Sequence, residues 1–266
     1  MKKDGLTVPI LSALMGEEDF YRFDVREELP STNVAMKEIA RQSPDMPEGL
    51  VLIAERQSQG HGRYARHFSS PKGGVYMSIL LRPCLPLEKA TLITAAAAVA
   101  VAEAAEELTG LDFSIKWVND VYRNGRKIAG ILTEGGVCAS GDLAYAVLGI
   151  GLNVLPPETA HPEAIASLVG RVFEEESHAP ENPRASAIAS VLKHFLSYYR
   201  RLSEKGFLEG YRARSLLTGK RISFEEEGRE RTATVLGIDD ECRLTVCTEE
   251  GVLRHLQSGE VQLTAF

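Results

Sequence analysis

The sequence predicts an α+β protein: a mixed β-sheet packed with helices, followed by a small SH3-like β-barrel at the C-terminus. Three observations predict it. Strand-like and helical segments are interspersed as hairpins and helices, without the strict strand–helix alternation of a parallel sheet. The run "LITAAAAVAVA" at 92–102 is apolar all round, which marks the middle of a buried helix. From Thr218 onward the texture changes to short strands broken at Glu227-Gly228, Asp239-Asp240 and Glu250-Gly251, the pattern of a small all-β unit. A chain of 266 residues has room for one large and one small domain. The expected division is an N-terminal extension over 1–20, a main domain over 21–216 and the barrel over 217–266.

Residues 21–29 read as a strand, and "PSTNVAMKEIA" as a helix entered through Ser31 as N-cap, whose hydroxyl can accept from a first-turn N–H. "LVLIAERQ" at 50–57 is a mostly apolar strand. "SQGHGRYARHFSSPKGG" at 58–74 has neither period and is rich in Gly, Ser and basic residues, so it reads as a loop. "VYMSILLRP" is again a strand, and 87–109 is a long helix stopped by Gly110. Around "KWVNDVYRNGRKIAGI" (116–131), Ile115, Trp117 and Val121, then Ile128, Ala129 and Ile131, suggest two short strands joined by a turn at Asn124-Gly125. "LAYAVLGIGLNV" at 143–154 makes a further strand, and helices fill roughly 183–204 and 206–215.

Composition excludes several classes. Hydrophobic residues make up 44% and charged residues 25%, the balance of an ordinary soluble domain. The net charge of −7 speaks against a dedicated nucleic-acid binder, so no nucleic-acid partner is expected. Cys84, Cys138, Cys242 and Cys247 contain no C-x-x-C, and none stands at zinc-finger spacing from a histidine, which reads as reduced thiols. No H-E-x-x-H pair is present, so a catalytic zinc is not expected. The N-terminus has no apolar core or small-residue cleavage site of a signal peptide. The 92–102 run is about half of what a membrane span requires. A cytoplasmic protein without a membrane partner is expected.

Nucleotide motifs are mostly excluded. G-x-x-x-x-G-K-[ST] is absent, and "GHGRYA" at 60–65 departs from G-x-G-x-x-G at Ala65 and runs into a Ser-Pro-Gly stretch instead of a helix. The same loop nevertheless carries Arg63, Arg66 and two histidines, after Arg56, with no acid after Glu55. Glycine N–H groups and arginine forks of this kind suit an anionic ligand, although a solvated surface loop has the same composition. In "GIGLNV" (149–154), Gly149 and Gly151 either leave room for a planar ligand, with Asn153 offering an amide, or mark a β-bulge with Asn153 opening a turn. Asn119, Asp120, Arg126 and Lys127 crowd one hairpin, where a merely structural hairpin would spread its charges over the solvent face.

The four stretches "STN" (31–33), "AERQSQGHGRYARHFSSPKGG" (54–74), "KWVNDVY…RKIAGILTE" (116–134) and "GIGLNV" (149–154), in this order and spacing, resemble the biotin protein ligases. The resemblance runs from about residue 21 to the barrel, and Lys-Trp-x-Asn-Asp followed by Arg-Lys-x-Ala-Gly-Ile is its most specific part. It implies a biotin/lipoate ligase-like catalytic domain and an ATP-dependent, Mg²⁺-assisted reaction. In it the carboxylate of biotin attacks the α-phosphate of ATP, giving biotinyl-5′-AMP and pyrophosphate. A lysine of a biotin carboxyl carrier domain, such as that of acetyl-CoA carboxylase, then takes the biotin. The resemblance also allows a homodimer.

By the same resemblance Lys127, Arg63 and Asp120 are the catalytic residues. Lys127 would hold the biotin carboxylate and the adenylate linkage, and Arg63 and Arg66 the phosphate. Asp120 and Asn119 would lie near the phosphates, with Asp120 a candidate Mg²⁺ ligand. Ser31, Thr32, Asn33, Gln57, Gly60, His61, Arg63, Lys127 and Gly130 form the biotin side, the polar atoms of Ser31, Thr32 and Gln57 reading the ureido ring. Phe68 stands where many relatives place a tryptophan against adenine, and Gly149, Gly151 and Asn153 match the nucleotide-side strand. Lys116 and Trp117 are expected to support the strand. The sequence departs from the common Gly-Arg-Gly-Arg-x-Gly-Arg loop: His61 replaces the first Arg and Ala65 the third Gly, with Tyr64 between them. The resemblance assigns that first Arg a direct biotin-carboxylate contact, which the departure at His61 puts in question.

Rival classes have sequence signatures of their own. Lipoate and octanoate ligases resemble R-R-x-x-G-G-G-x-V-Y-H-D, whereas "KGGVYMS" lacks the arginine pair and the His-Asp. A biotin-responsive transcriptional repressor carries an N-terminal winged helix-turn-helix domain, for which about twenty residues ahead of the first strand are too few, so the form without that domain is expected. A pure binding module would have no need of Lys127 together with the arginine loop.

Overall fold

The structure is a computed structural model that describes residues 4–226, 228–257 and 261–263. In chain order the elements are α1 (Val8–Met15), β1 (Arg22–Leu29), α2 (Thr32–Gln42), β2 (Leu50–Gln57), β3 (Gly74–Leu81), α3 (Ala90–Thr109), β4 (Ser114–Lys116), β5 (Asp120–Arg123), β6 (Arg126–Val137) and β7 (Leu143–Asn153). They continue with α4 (Glu163–Ala166), α5 (Pro183–Tyr199), α6 (Leu208–Ala213), β8 (Arg221–Glu226), β9 (Arg229–Ile238), β10 (Leu244–Thr248), β11 (Leu253–Leu256) and β12 (Val261–Leu263).

Seven strands form one sheet in the order β1-β2-β3-β7-β6-β5-β4. β1 and β2 are parallel and the other pairs antiparallel, so the sheet is mixed, as the interspersed pattern predicts. The C-terminal strands make a separate five-stranded antiparallel sheet in the order β11-β10-β9-β8-β12. Alanines suit α3 because it is buried nearly all round from Leu92 to Ala105, with the sheet on one side and α5 on the other. It begins at Ala90, after a single 3₁₀ turn at Leu87–Lys89, and Gly110 caps it in the left-handed conformation. α5 stops at Tyr199 and α6 spans Leu208–Ala213, both shorter than the apolar pattern suggests. Lys205, with φ of 54°, punctuates the chain between them.

Two differences from the sequence reading matter for the site. Residues expected to be only an N-terminal extension contribute Leu6, Leu11 and Met15 to the main core. Gly5 N–H donates to Asn182 Oδ1 at 2.9 Å, and Asp4 pairs with the buried Arg184 at 2.6 Å, pinning this segment to the start of α5. Second, the hairpin over 114–131 has three strands instead of two. Trp117–Asn119 is a tight turn between β4 and β5, and the Asn124-Gly125 turn joins β5 to β6 as expected.

Candidate active site

A cavity of about 400 Å³ lies against β2, β3, β6 and β7 and under the 58–70 loop. Its wall includes Ser31, Thr32, Asn33, Gln57, His61, Arg63, Arg66, Phe68, Asn119, Asp120, Lys127, Gly130, Gly149 and Gly151. Residues far apart in sequence are thus gathered on one surface. Gly60 and Asn153 are not on that wall.

The polar end is built at the start of α2. Ser31 caps the helix, accepting from Val34 N–H, and this leaves Thr32 and Asn33 in the first turn facing the sheet. All three are buried. Thr32 N–H donates to Gln57 Oε1 at 2.8 Å, Gln57 Nε2 donates to Ser70 Oγ at 2.9 Å, and Ser70 Oγ donates to the Phe68 carbonyl at 2.9 Å. Asn33 Nδ2 donates to the Leu132 carbonyl at 3.2 Å and to Glu134 Oε2 at 3.0 Å, while Lys37 Nζ pairs with Glu134 Oε1 at 2.5 Å. Burial opposes ionisation of Glu134, but hydrogen bonds from Lys37 and Asn33 and the charge of Lys37 outweigh it and hold the carboxyl below the ordinary range.

The loop reads from its sequence as irregular; in the structure it is a short irregular hairpin. Gly62 N–H donates to Arg66 O at 2.7 Å and Phe68 N–H to Gly60 O at 2.8 Å, with a 3₁₀ turn at Arg63–Ala65 forming the tip. Gly60 sits at the base, where a Cβ would run into the Phe68 carbonyl oxygen. Its part is to let the hairpin close, which is why it lies behind the wall. At the tip, Arg63 Nη1 donates to Asn119 Oδ1 at 3.0 Å and ties the loop to the β4–β5 turn.

The glycine pair of β7 stands in unbroken register with both neighbouring strands, so it marks no bulge, and it lines the cavity. A Cβ on Gly151 would lie 2.5 Å from Phe68 Cε1, and one on Gly130 would lie 3.1 Å from Cε2 of the same ring. Phe68 therefore rests on a floor made by Gly130 and Gly151. Gly149 admits the Asn33 carboxamide, which its Cβ would strike. Each glycine makes room for a side chain of this chain.

The cationic end is set by an irregularity in β6. Val121 pairs with Ala129 and Tyr122 with Lys127, so Ile128 is the extra residue of a β-bulge. A regular strand would put Lys127 and Gly130 on opposite faces. The bulge brings both onto the cavity, while Ile128 is buried and Arg126 is exposed. Lys127 Nζ pairs with Asp120 Oδ1 at 2.8 Å and lies 5.8 Å from the Phe68 ring centroid. Asn153, matched in sequence to the nucleotide-side strand, is off the cavity wall and buried behind the lysine, its Nδ2 donating to the Lys127 carbonyl at 3.4 Å. Desolvation and the nearby Asp120 charge push the Tyr122 phenol up to about 12.

Trp117, expected in a supporting role, donates from Nε1 to the buried Cys242 carbonyl at 2.8 Å and ties the β4–β5 turn to the C-terminal sheet. Several contributors escape sequence reading. Tyr211 OH donates to Val118 O at 3.0 Å. Val261 and Gln262 of β12 close one side of the cavity. Ser78, buried in β3, and Glu134 and Lys37 stand behind the polar end. The lone hydroxyl inside the apolar "VYMSILL" was the one available signal for Ser78.

A pocket with hydrogen-bonding groups at one end and fixed cations at the other, on this mixed sheet, defines a ligase of the biotin/lipoate class. Residues 26–153 match the biotin/lipoate A/B protein ligase family, and residues 217–264 match the biotin protein ligase C-terminal domain. The chain is 34% identical over 258 residues to the bifunctional ligase/repressor BirA of Bacillus subtilis, covering 94% of this chain and 75% of that protein. It is 31% identical over 251 residues to the biotin–[acetyl-CoA-carboxylase] ligase of Mycobacterium tuberculosis, covering 89% and 90% of the two chains. The biotin protein ligase of Aquifex aeolicus, solved in complex with biotin and ATP, superposes with a TM-score of 0.73 at 28% identity, covering 91% of this chain and 98% of that one. The chain belongs to the biotin protein ligase family.

Proposed function

We propose that this chain activates biotin with ATP and passes it to a lysine of a biotin carboxyl carrier domain. The observation that supports this best is the single cavity shared by the Ser31–Thr32–Gln57 group and the Lys127 and Arg63 cations. In this reading Ser31, Thr32 and Gln57 hold the ureido ring. Joining a carboxylate to a triphosphate brings two anions together, which is costly unless fixed cations stand where charge develops. Lys127 is that cation, exchanging Asp120 for the incoming anion. A carboxylate oxygen of biotin bonds to the α-phosphorus as pyrophosphate leaves. The neutral amine of the acceptor lysine then attacks the acyl carbon, AMP departs, and the amine loses its proton.

Arg63 and Arg66 face the phosphate, and Arg63 retains the mixed anhydride by tying the loop to Asn119. His61 replaces an arginine of relatives and carries charge only when protonated. The donor set fits Mg²⁺: Asp120 lines the cavity with its carboxylate neutralised by Lys127 at 2.8 Å, an oxygen the lysine gives up when it turns to the incoming anion, and Asn119 adds a carboxamide beside it in sequence. Among the described residues no group of three or more His, Cys, Asp or Glu side chains could hold a metal by itself. That suits a cation that keeps waters and takes phosphate oxygens, and it would supply charge neutralisation on the triphosphate. Residues 21–216 act as the catalytic unit, completed by the α1 segment before them and by 217–266. A cytoplasmic setting follows from the need for ATP and a carrier domain; among the described residues no helix is long and apolar enough to cross a membrane.

The test is incubation with ATP, MgCl₂ and either biotin or lipoate, with mass spectrometry of the acyl-adenylate and then of an added carrier domain. Biotinyl-AMP and one modified lysine are expected. Lipoyl-AMP in place of biotinyl-AMP would overturn the reading.

A further inference from the structure

Ser78 lies in the middle of β3, a strand buried at every position, and is itself 0% exposed. Its Oγ is 2.6 Å from Asn33 Oδ1 and 2.8 Å from Thr32 Oγ1. A hydroxyl carries one proton and cannot donate to both. The surrounding network decides the direction. Asn33 Nδ2 has its two protons committed, one to the Leu132 carbonyl and one to Glu134. Glu134 is in turn held as an acceptor by the Lys37 ammonium. The amide is thereby oriented with its nitrogen toward β6 and its oxygen, which can only accept, toward Ser78. Ser78 donates to Asn33, so the contact with Thr32 is a hydrogen bond only if Thr32 gives its own proton to Ser78. Gln57 Oε1, 3.2 Å from Thr32 Oγ1, is the other acceptor within reach of that proton, but it already accepts from the Thr32 N–H at 2.8 Å, and the contact with Ser78 is the shorter of the two.

We infer that Ser78 is a positioning residue that makes the Thr32 hydroxyl an obligate acceptor, so that the polar end of the cavity takes a ligand N–H at Thr32 and turns away a ligand oxygen. This rests on the reading that the biotin ring lies against Thr32, and it deepens it. The selectivity for a ureido ring is set by the relay Lys37–Glu134–Asn33–Ser78, none of which but Asn33 lines the cavity. A hydroxyl free to rotate would offer either a proton or a lone pair. This one offers lone pairs only, and an opposing oxygen would leave both groups without a proton between them.

The experiment compares biotin with two cyclic carbamate analogues, in each of which one of the two ureido N–H groups is replaced by a ring oxygen. The readout is kcat/KM for adenylate formation. The wild-type protein should disfavour the isomer with oxygen against Thr32 by roughly 10-fold or more relative to biotin. In Ser78→Ala the Thr32 proton keeps only the longer contact with Gln57 Oε1, which a ligand oxygen can outcompete, and that isomer should recover to within about threefold of biotin. KM for biotin should rise while KM for ATP holds, a split that general loosening of the fold would not produce. Ser78→Cys keeps the volume and only a weak donor, so it should fall between the two, and it decides the matter if Ser78→Ala does not fold. Unchanged discrimination in a folded Ser78→Ala, or otherwise in Ser78→Cys, overturns the inference and leaves the ligase reading intact. Failure of the wild-type protein to form biotinyl-AMP would overturn the ligase reading itself.

Discussion

Replacing Lys127 with alanine separates the cation from everything else in the hairpin. The lysine and Asp120 are 30% and 21% exposed, so their ion pair is partly screened and adds at most about 1 kcal/mol to stability. Lys127→Ala should therefore remain folded, with a circular dichroism spectrum and melting curve close to wild type. Its effect on chemistry is much larger. Losing one positioned charge where an anion develops costs about 2.7–4 kcal/mol of transition-state stabilisation, or roughly 10²–10³ in rate. The loss should fall at the upper end, because the Asp120 carboxylate is left uncompensated next to the incoming phosphates. Arg126 is the control. It is exposed and lies off the cavity wall, on the far side of the Ile128 bulge from Gly130, so Arg126→Ala should change the rate by less than about threefold. Pyrophosphate release in a single turnover measures both variants, and Lys127→Ala/Asp120→Ala should be less impaired than the sum of the two single changes. A crippled Arg126→Ala beside a near-normal Lys127→Ala would refute the reasoning, since it would mean that the facing of β6 had been misassigned by one residue.

Four further outcomes are expected. Gly151→Ala places a Cβ 2.5 Å from the Phe68 ring and should raise KM for ATP, and adding Phe68→Leu should restore part of the loss; no rescue would count against the ring-on-glycine arrangement. Trp117→Phe keeps most of the ring but leaves the Cys242 carbonyl without its donor, which should cost about 1–2 kcal/mol in chemical denaturation. Arg63→Gly removes the bond to Asn119 and should let biotinyl-AMP escape, seen as labelling of lysines on an added bystander protein; retained selectivity at full activity would argue otherwise. The fourth concerns His194, which sits between Glu103 and Glu107 on the α3–α5 face. The hydrogen bond to Glu103, with a second to Glu107, outweighs burial and raises the imidazole above its ordinary value. A raised folded value means that the stabilisation is complete below about pH 6.5 and fades as pH climbs through the higher folded value. Glu103 is held low by His194 and Tyr198 despite burial, and Glu107 chiefly by Ser190, so their contributions are lost only as pH falls through the lowered carboxyl range. His194→Gln should flatten the decline of melting temperature above about pH 6.5, and an unchanged profile would show that the cluster is not coupled to folding.

Local chemistry made much of the fold legible. The Ser31 cap, the Gly110 stop and the Asn124-Gly125 turn are each decided by one or two residues whose preferences act over a single turn, and the structure has all three. Helix α1 was not legible because "VPILSALM" is eight residues long, too short to be stable alone. It forms because Leu11 and Met15 are buried in the core and α5 lies alongside it. The bulge at Ile128 was invisible for a similar reason: an extra residue in a strand shows only when its partner strand is in place.

The sequence by itself determined the family, since the order and spacing of its motifs along the chain were enough to resemble one. It also determined the alternation of helices and strands, which depends on side-chain periodicity. Only the tertiary structure decided which glycines serve Phe68 and Asn33, that Asn153 braces Lys127 from behind, and that Val261 and Gln262 complete the wall. It alone decided the direction of the protons around Ser78. Hydrogen-bond polarity belongs to the set of groups that meet, and here the deciding contact, Asn33 with Glu134, joins residues 101 positions apart.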